Sequence, residues 1–106
     1  MRVLFDQGTP HPLRDLLIRH DVSTAFENGW STLTNGELLD TAEHAAYEVF
    51  VTTDTNLKYQ QHVTGRRFGV VVLLSTSWPR MQAVIAPIVQ AIDAAVPGSY
   101  TEVEIP

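Results

Sequence analysis

Two apolar, β-prone runs in this chain end abruptly in an aspartate. One is Val3-Leu4-Phe5-Asp6-Gln7-Gly8, at the start. The other is Val49-Phe50-Val51-Thr52-Thr53-Asp54-Thr55-Asn56-Leu57, in the middle. If both are neighbouring parallel strands, Asp6 and Asp54 arrive side by side at the carboxyl edge of one sheet. That edge is where open α/β sheets bind ligands. A third acid, Glu37, falls in the first turn of the helix expected to feed the second run, and that turn would overlie the same edge. Asp40 lies three residues further on and shares that helix face. Carboxylates gathered at one point repel, and a cation is needed to keep them ionised together. Hard oxygen ligands of this kind suit Mg²⁺ or Mn²⁺. A metal held there polarises a phosphoryl oxygen and activates water, so the chemistry to expect is hydrolysis of a phosphate ester.

The same residues have a plainer explanation. Asp, Asn and Gly follow strands because they make turns. Glu near a helix start is favoured by the helix dipole. Only the convergence of several acids at one edge separates a ligand set from a set of turns and caps.

These side chains need a sheet to position them. Arg2 to Phe5 reads as a short buried strand, broken by Gly8, Thr9 and Pro10. Thr9 is placed to cap a helix with Pro10 at its first position. Leu13, Leu16 and Leu17 then predict an amphipathic helix over roughly 10–20. Asp21 to Phe26 alternates as a second strand, and a loop with Gly29 follows. Trp30, in that loop, is expected to cap the core. Asn35 is the expected N-cap of a helix over about 36–46, with Leu38, Leu39 and Ala42 inward. Glu48 to Thr52 and Phe68 to Leu74 are apolar on both faces, as central parallel strands are. Asn56 to His62 has room for one or two helical turns. A long helix is expected from about Pro79 to Val96, kinked at Pro87 and stopped by Pro97-Gly98. Tyr100 to Ile105 alternates as an edge strand with one wet face. This β-α-β-α-β-α-β-α-β order predicts an α/β fold, with a parallel or mostly parallel sheet of about five strands and helices on both faces. One domain is expected to cover residues 1–106.

Composition narrows the functions. A chain of 106 residues supports one modest core. There is no cysteine, which excludes disulfides and thiolate metal sites and is compatible with a reducing cytoplasm. No segment is apolar for long enough to span a bilayer. The net charge of −5 opposes nucleic-acid binding through a general basic field, so any such binding needs a local cluster or a bound metal. Lys58, Arg66 and Arg67 form one candidate cluster; Arg14 and Arg19 form another. His11, His20, His44 and His62 show no zinc-ligand spacing. Ser75, Thr76 and Ser77 either line the same sheet edge or cap the helix that follows. Neither GxGxxG nor GxxxxGK[ST] occurs, which argues against a nucleotide cofactor.

The opening Met1-Arg2-Val3-Leu4-Phe5-Asp6-Gln7-Gly8 resembles the start of PIN-like domain proteins, related to the VapC-type toxins of the PIN nuclease superfamily. So do Pro12-Leu13 with Leu16, Asn35-Gly36-Glu37-Leu38-Leu39, and Val51-Thr52-Thr53-Asp54-Thr55-Asn56-Leu57. Together they cover about residues 1–75. The resemblance implies a three-layer αβα sandwich and a Mg²⁺- or Mn²⁺-dependent ribonuclease ancestry. It also implies the toxin half of a toxin–antitoxin pair and a homodimer. Asp6, Glu37 and Asp54 correspond to the metal-binding, catalytic carboxylates. Asn56 stands where many relatives have a further aspartate. Gln7-Gly8 replaces a commoner acidic residue and Asn, and a later helical acid has no counterpart.

The leading expectation is therefore an endoribonuclease. Asp6, Glu37 and Asp54 would hold the metal, with Asp40 and Asn56 as additional ligands, while Lys58, Arg66 and Arg67 orient RNA. The alternative is a catalytically weak interaction module that uses the acidic pocket or an apolar groove to bind a protein. A response-regulator receiver fits poorly. It needs paired acids after the first strand and a lysine after the fifth, and neither is present.

Overall fold

Every residue of Val49–Thr52 and Gly69–Leu73 is buried, as strands covered on both faces must be. The computed structural model describes residues 1–106. Its five strands are β1 (Arg2–Phe5), β2 (Asp21–Thr24), β3 (Val49–Thr52), β4 (Gly69–Leu73) and β5 (Tyr100–Val103). They form one sheet in the order β2-β1-β3-β4-β5, and all four ladders are parallel. The fold is α/β, as the element order predicts.

Successive strand side chains point to opposite faces, and the core divides accordingly. Val3, Phe5, Val49, Val51, Val71 and Leu73 pack with Leu13, Leu17, Met81, Ile88 and Ile92. Leu4, Phe50, Val70 and Val72 pack with Leu38, Leu39, Ala42 and Leu57 in a second cluster. Trp30 packs against that second cluster and meets the Tyr47 ring edge-on, with centroids 6.0 Å apart. At one edge of the sheet, β5 keeps Thr101 and Glu102 exposed and Val103 buried.

The helices depart from expectation at identifiable residues. The first is a short 3-10 helix, His11–Leu16, not an α-helix over 10–20. Pro10 and Pro12 both lack an N–H, and the chain leaves helical space at Leu17 (φ −98°, ψ 56°). Thr9 does not cap it. Its hydroxyl donates to the Val51 carbonyl at 3.0 Å and ties the loop to β3.

Helix α1 spans Asn35–His44, and its N-cap is Thr34 rather than Asn35. Helix α2 is one turn, Leu57–Gln60. The long helix expected over 79–96 is three pieces: α3 (Trp78–Met81), a 3-10 turn (Gln82–Val84) and α4 (Ile85–Asp93). A proline inside a continuous helix would clash with the preceding turn. The chain breaks instead at Val84 (φ −133°, ψ 34°), and Pro87 then sits in the first turn of α4, where its missing N–H costs nothing. Ser77 caps α3, accepting from the Arg80 N–H at 3.4 Å.

No helix is long and apolar enough to cross a membrane.

Candidate functional site

The strand order reverses direction between β1 and β3, and such a switch point opens a crevice at the carboxyl ends of the strands. Asp6 follows β1 directly and continues the ladder, its N–H donating to the Val51 carbonyl at 2.9 Å. Asp54 follows β3 by two residues. The two runs singled out in the sequence are thus neighbours in the sheet, in register at Phe5 and Val51.

One buried side chain joins the two acids. The Thr52 hydroxyl donates to Asp6 Oδ2 at 2.9 Å and accepts from the Asp54 N–H at 3.0 Å. Thr52 has no solvent exposure, so this polar group sits in the core only because it is bonded on both sides. The other Asp6 oxygen, Oδ1, accepts from the Gln7 N–H at 2.8 Å. Asp54 Oδ1 accepts from the Asn56 N–H at 2.9 Å. The Asn35 amide reaches Asp54 Oδ2 at 3.4 Å and Gln60 Oε1 at 3.5 Å.

Glu37 is engaged elsewhere. Its Oε1 accepts from the Thr34 N–H at 3.0 Å and from the Thr34 hydroxyl at 2.9 Å, while Thr34 Oγ1 accepts from the Glu37 N–H at 3.3 Å. This reciprocal pair is a capping box. The two Thr34 donors hold the Glu37 carboxyl below its ordinary value. The N-terminal residue of α1 that touches Asp54 is Asn35, not Glu37.

The remaining candidates divide. Asp40 accepts from Arg66 at 2.8 Å, and Arg66 also bonds Glu43 at 3.1 Å and the His62 carbonyl at 2.7 Å. Arg66 and Arg67 precede β4, which places them at the amino edge of the sheet, opposite Asp6 and Asp54. Lys58 follows β3 but pairs with Glu102 of β5 at 2.9 Å. That contact raises the Lys58 pKa and lowers that of Glu102. Asn56 touches Asp54 through its backbone.

Two residues carry the site without having been singled out for it. Thr52 links both acids, and Asn35 orients one of them. The sequence does hold a signal for Thr52: it is the sole polar residue of β3, at the strand end nearest Asp54.

No group of three or more His, Cys, Asp or Glu side chains stands in an arrangement that could hold a metal ion. At this crevice the Thr52 hydroxyl and the Asn35 amide N–H are spent on Asp6 and Asp54, which leaves those two carboxylates as the protein ligands. That set fits Mg²⁺ or Mn²⁺ where one or two carboxylates bind and water and a substrate phosphate complete the shell. It does not fit a site built from three protein carboxylates. In comparisons with known proteins, the chain matches no family model, no curated protein and no solved structure.

Proposed function

We propose that the chain is a PIN-like, Mg²⁺- or Mn²⁺-dependent endoribonuclease in which Asp6 and Asp54 hold the metal. The observation that carries this reading is the Thr52 hydroxyl, which bonds the Asp6 carboxylate and the Asp54 backbone N–H at the switch point of the sheet. A bound ion supplies Lewis acidity toward a phosphoryl oxygen. The protein's own part is orientation. Thr52 fixes the rotamer of Asp6, and the Asn56 N–H and Asn35 amide fix Asp54. With Arg66 and Arg67 at the far edge and Lys58 paired with Glu102, a phosphate at this crevice depends on the metal for positive charge. RNA is the substrate that the family resemblance favours. The same resemblance extends the reading to a toxin opposed by a protein antitoxin, and to a homodimer.

The experiment is Mn²⁺ calorimetry together with cleavage of single-stranded RNA, on wild type, Asp6→Asn, Asp54→Asn and Glu37→Gln. Binding and cleavage are expected in the wild type and lost in both Asp variants. Glu37→Gln keeps the capping box, since Gln serves at that position, and is expected to retain both. Absence of Mn²⁺ binding by the wild type at millimolar concentration overturns the nuclease reading.

A second reading has its own observation. With Glu37 spent on the cap, two carboxylates remain, Asp6 and Asp54, at the ends of the paired strands β1 and β3. A PIN-like module that binds a protein through this crevice requires no more than that. Wild-type protein that binds neither Mn²⁺ nor RNA would leave this reading in front.

A further inference from the structure

Beside Asp6 the surface opens into a cavity of about 410 Å³, lined by Asp6, Gln7, Thr9, His11, Thr24 and Phe26, with Glu27 at its wall. The volume lies in the range of small-molecule sites. Phe26 is 75% exposed, although its neighbour Ala25 is buried. Neither an aromatic ring nor a cation stacks on it, whereas the other exposed aromatic, Tyr59, carries the Lys58 ammonium 5.2 Å from its ring centroid. The fold therefore gains little from this ring where it stands.

The turn that presents Phe26 is held firmly. Thr24 and Glu27 bond reciprocally: the Thr24 N–H donates to Glu27 Oε1 and the Glu27 N–H to Thr24 Oγ1, each at 3.0 Å. Arg14 clamps the same carboxylate, with Nη1 on Oε2 at 3.0 Å, and anchors itself on the Val22 carbonyl at 2.8 Å. The backbone closes the turn through Gly29 N–H to Phe26 O at 3.0 Å and Trp30 N–H to Ala25 O at 2.8 Å. An exposed ring on a braced turn is a preformed platform, which loses little entropy when something stacks on it.

The lining also says what would stack. The Glu27 charge is met by Arg14, so the wall is polar without strong repulsion. No Lys or Arg lines the cavity, so it is not built for a phosphate. Gln7 is exposed there, and its amide both donates and accepts, as the edge of a nucleobase requires. An exposed aromatic face with a free amide beside it matches an unstacked base.

We infer that this cavity is a nucleobase subsite, with Phe26 as its stacking platform, for the nucleotide flanking the phosphate at Asp6 and Asp54. The inference rests on the nuclease reading of those acids and adds the element of this chain that holds the base beside the scissile phosphate. Bases in a duplex stack on one another and leave no face for Phe26.

The test uses the full chain with a fluorescein-labelled single-stranded oligoribonucleotide. Binding is read by anisotropy with Ca²⁺ in place of Mn²⁺, so that the phosphate keeps its cation, and cleavage with Mn²⁺. Phe26→Ala is expected to weaken binding about 5- to 150-fold, the range for losing one base–aromatic stack. It is also expected to raise KM with kcat little changed, because the stack is the same in ground and transition states. Phe26→Trp is expected to restore binding. The same sequence annealed to its complement is expected to bind worse than the single strand. Thermal melts of both variants close to wild type exclude misfolding, since Phe26 is largely exposed. Wild-type affinity and KM in Phe26→Ala overturn the subsite while leaving the nuclease reading intact. A wild type that neither binds nor cleaves single-stranded RNA overturns both.

Discussion

The hydroxyl of Thr52 donates to Asp6 Oδ2 at 2.9 Å from a position with no solvent exposure. The same oxygen accepts the Asp54 N–H, so one buried atom sets the spacing between two strand ends. Thr52→Val preserves the shape of the side chain and removes both bonds. A hydrogen bond to a carboxylate contributes more than a neutral one, and the Asp54 N–H loses its acceptor, so destabilisation of about 2 kcal/mol is expected. Urea unfolding measures it. The substitution should also weaken Mn²⁺ binding, although Thr52 would be no more than an orienting group. An unchanged urea midpoint would show that the hydroxyl holds neither acid.

The sheet was largely legible because its signals are local. Apolar runs bounded by Gly, Pro and Asp gave all five strands to within two residues at each end. The runs alone leave open whether Asp6 and Asp54 are neighbours; the pairing of β1 with β3 makes them so. What was not legible depends on competition between partners. Glu37 reads as a ligand while Asn35 is taken as the N-cap, although the Thr34-x-x-Glu37 spacing is itself the capping-box signal, and the placed Thr34 shows the carboxylate turned to the backbone. Arg66 and Arg67 look like a basic patch in sequence. Their distance from the acids follows from β4 running parallel to β3, which puts residues before the strand at the opposite edge. Likewise, Pro87 signals an interruption, but whether the helix kinks or restarts depends on what the preceding turn packs against.

Acid should report the Arg14–Glu27 clamp. The Arg14 hydrogen bonds, followed by that from the Thr24 N–H, lower the Glu27 carboxyl from its ordinary 4.5 to about 2. The folded state thus favours the ionised form, and a depressed carboxyl stabilises the fold fully at pH above its unfolded value. That contribution fades as pH falls from about 4.5 towards 2 and is gone below it. Glu27→Gln never has it. The expected result is a wild type more stable than Glu27→Gln by a constant margin at neutral pH, the two converging between pH 4.5 and 2. Taking the difference cancels the other carboxyls, including Glu37 and Glu102, which are also depressed. The Glu27 side chain is 42% exposed, so added salt should shrink the margin. Urea midpoints across this range supply the measurement, and a margin independent of pH would refute the clamp.

The end of α1 carries a residue in a conformation that its side chain disfavours. Ala46 has φ 63°, the left-handed region, and is the sole non-glycine there. The hydrogen bonds explain why it is held. The Tyr47 N–H donates to the Ala42 carbonyl at 3.2 Å and the Ala46 N–H to the Glu43 carbonyl at 3.1 Å, the paired bonds of a Schellman motif. That motif ordinarily places glycine where Ala46 stands, and with no glycine the sequence gives no stop signal, so a helix running to 46 is the natural reading. Tyr47, buried in the second cluster and holding the Asn28 amide at 2.8 Å, anchors the far side of the turn and keeps Ala46 strained. Ala46→Gly relieves a cost of roughly 1–2 kcal/mol for a left-handed L-residue. It gives back part of that through the greater freedom of glycine in the unfolded chain, up to about 1 kcal/mol. A net gain of about 0.5–1 kcal/mol is expected, visible as a higher urea midpoint with an unchanged slope. Ala46 lies at the end of α1 remote from the helix start that touches Asp54, so metal binding should be unaffected. A loss of stability would mean that the left-handed turn is not the conformation the chain adopts there.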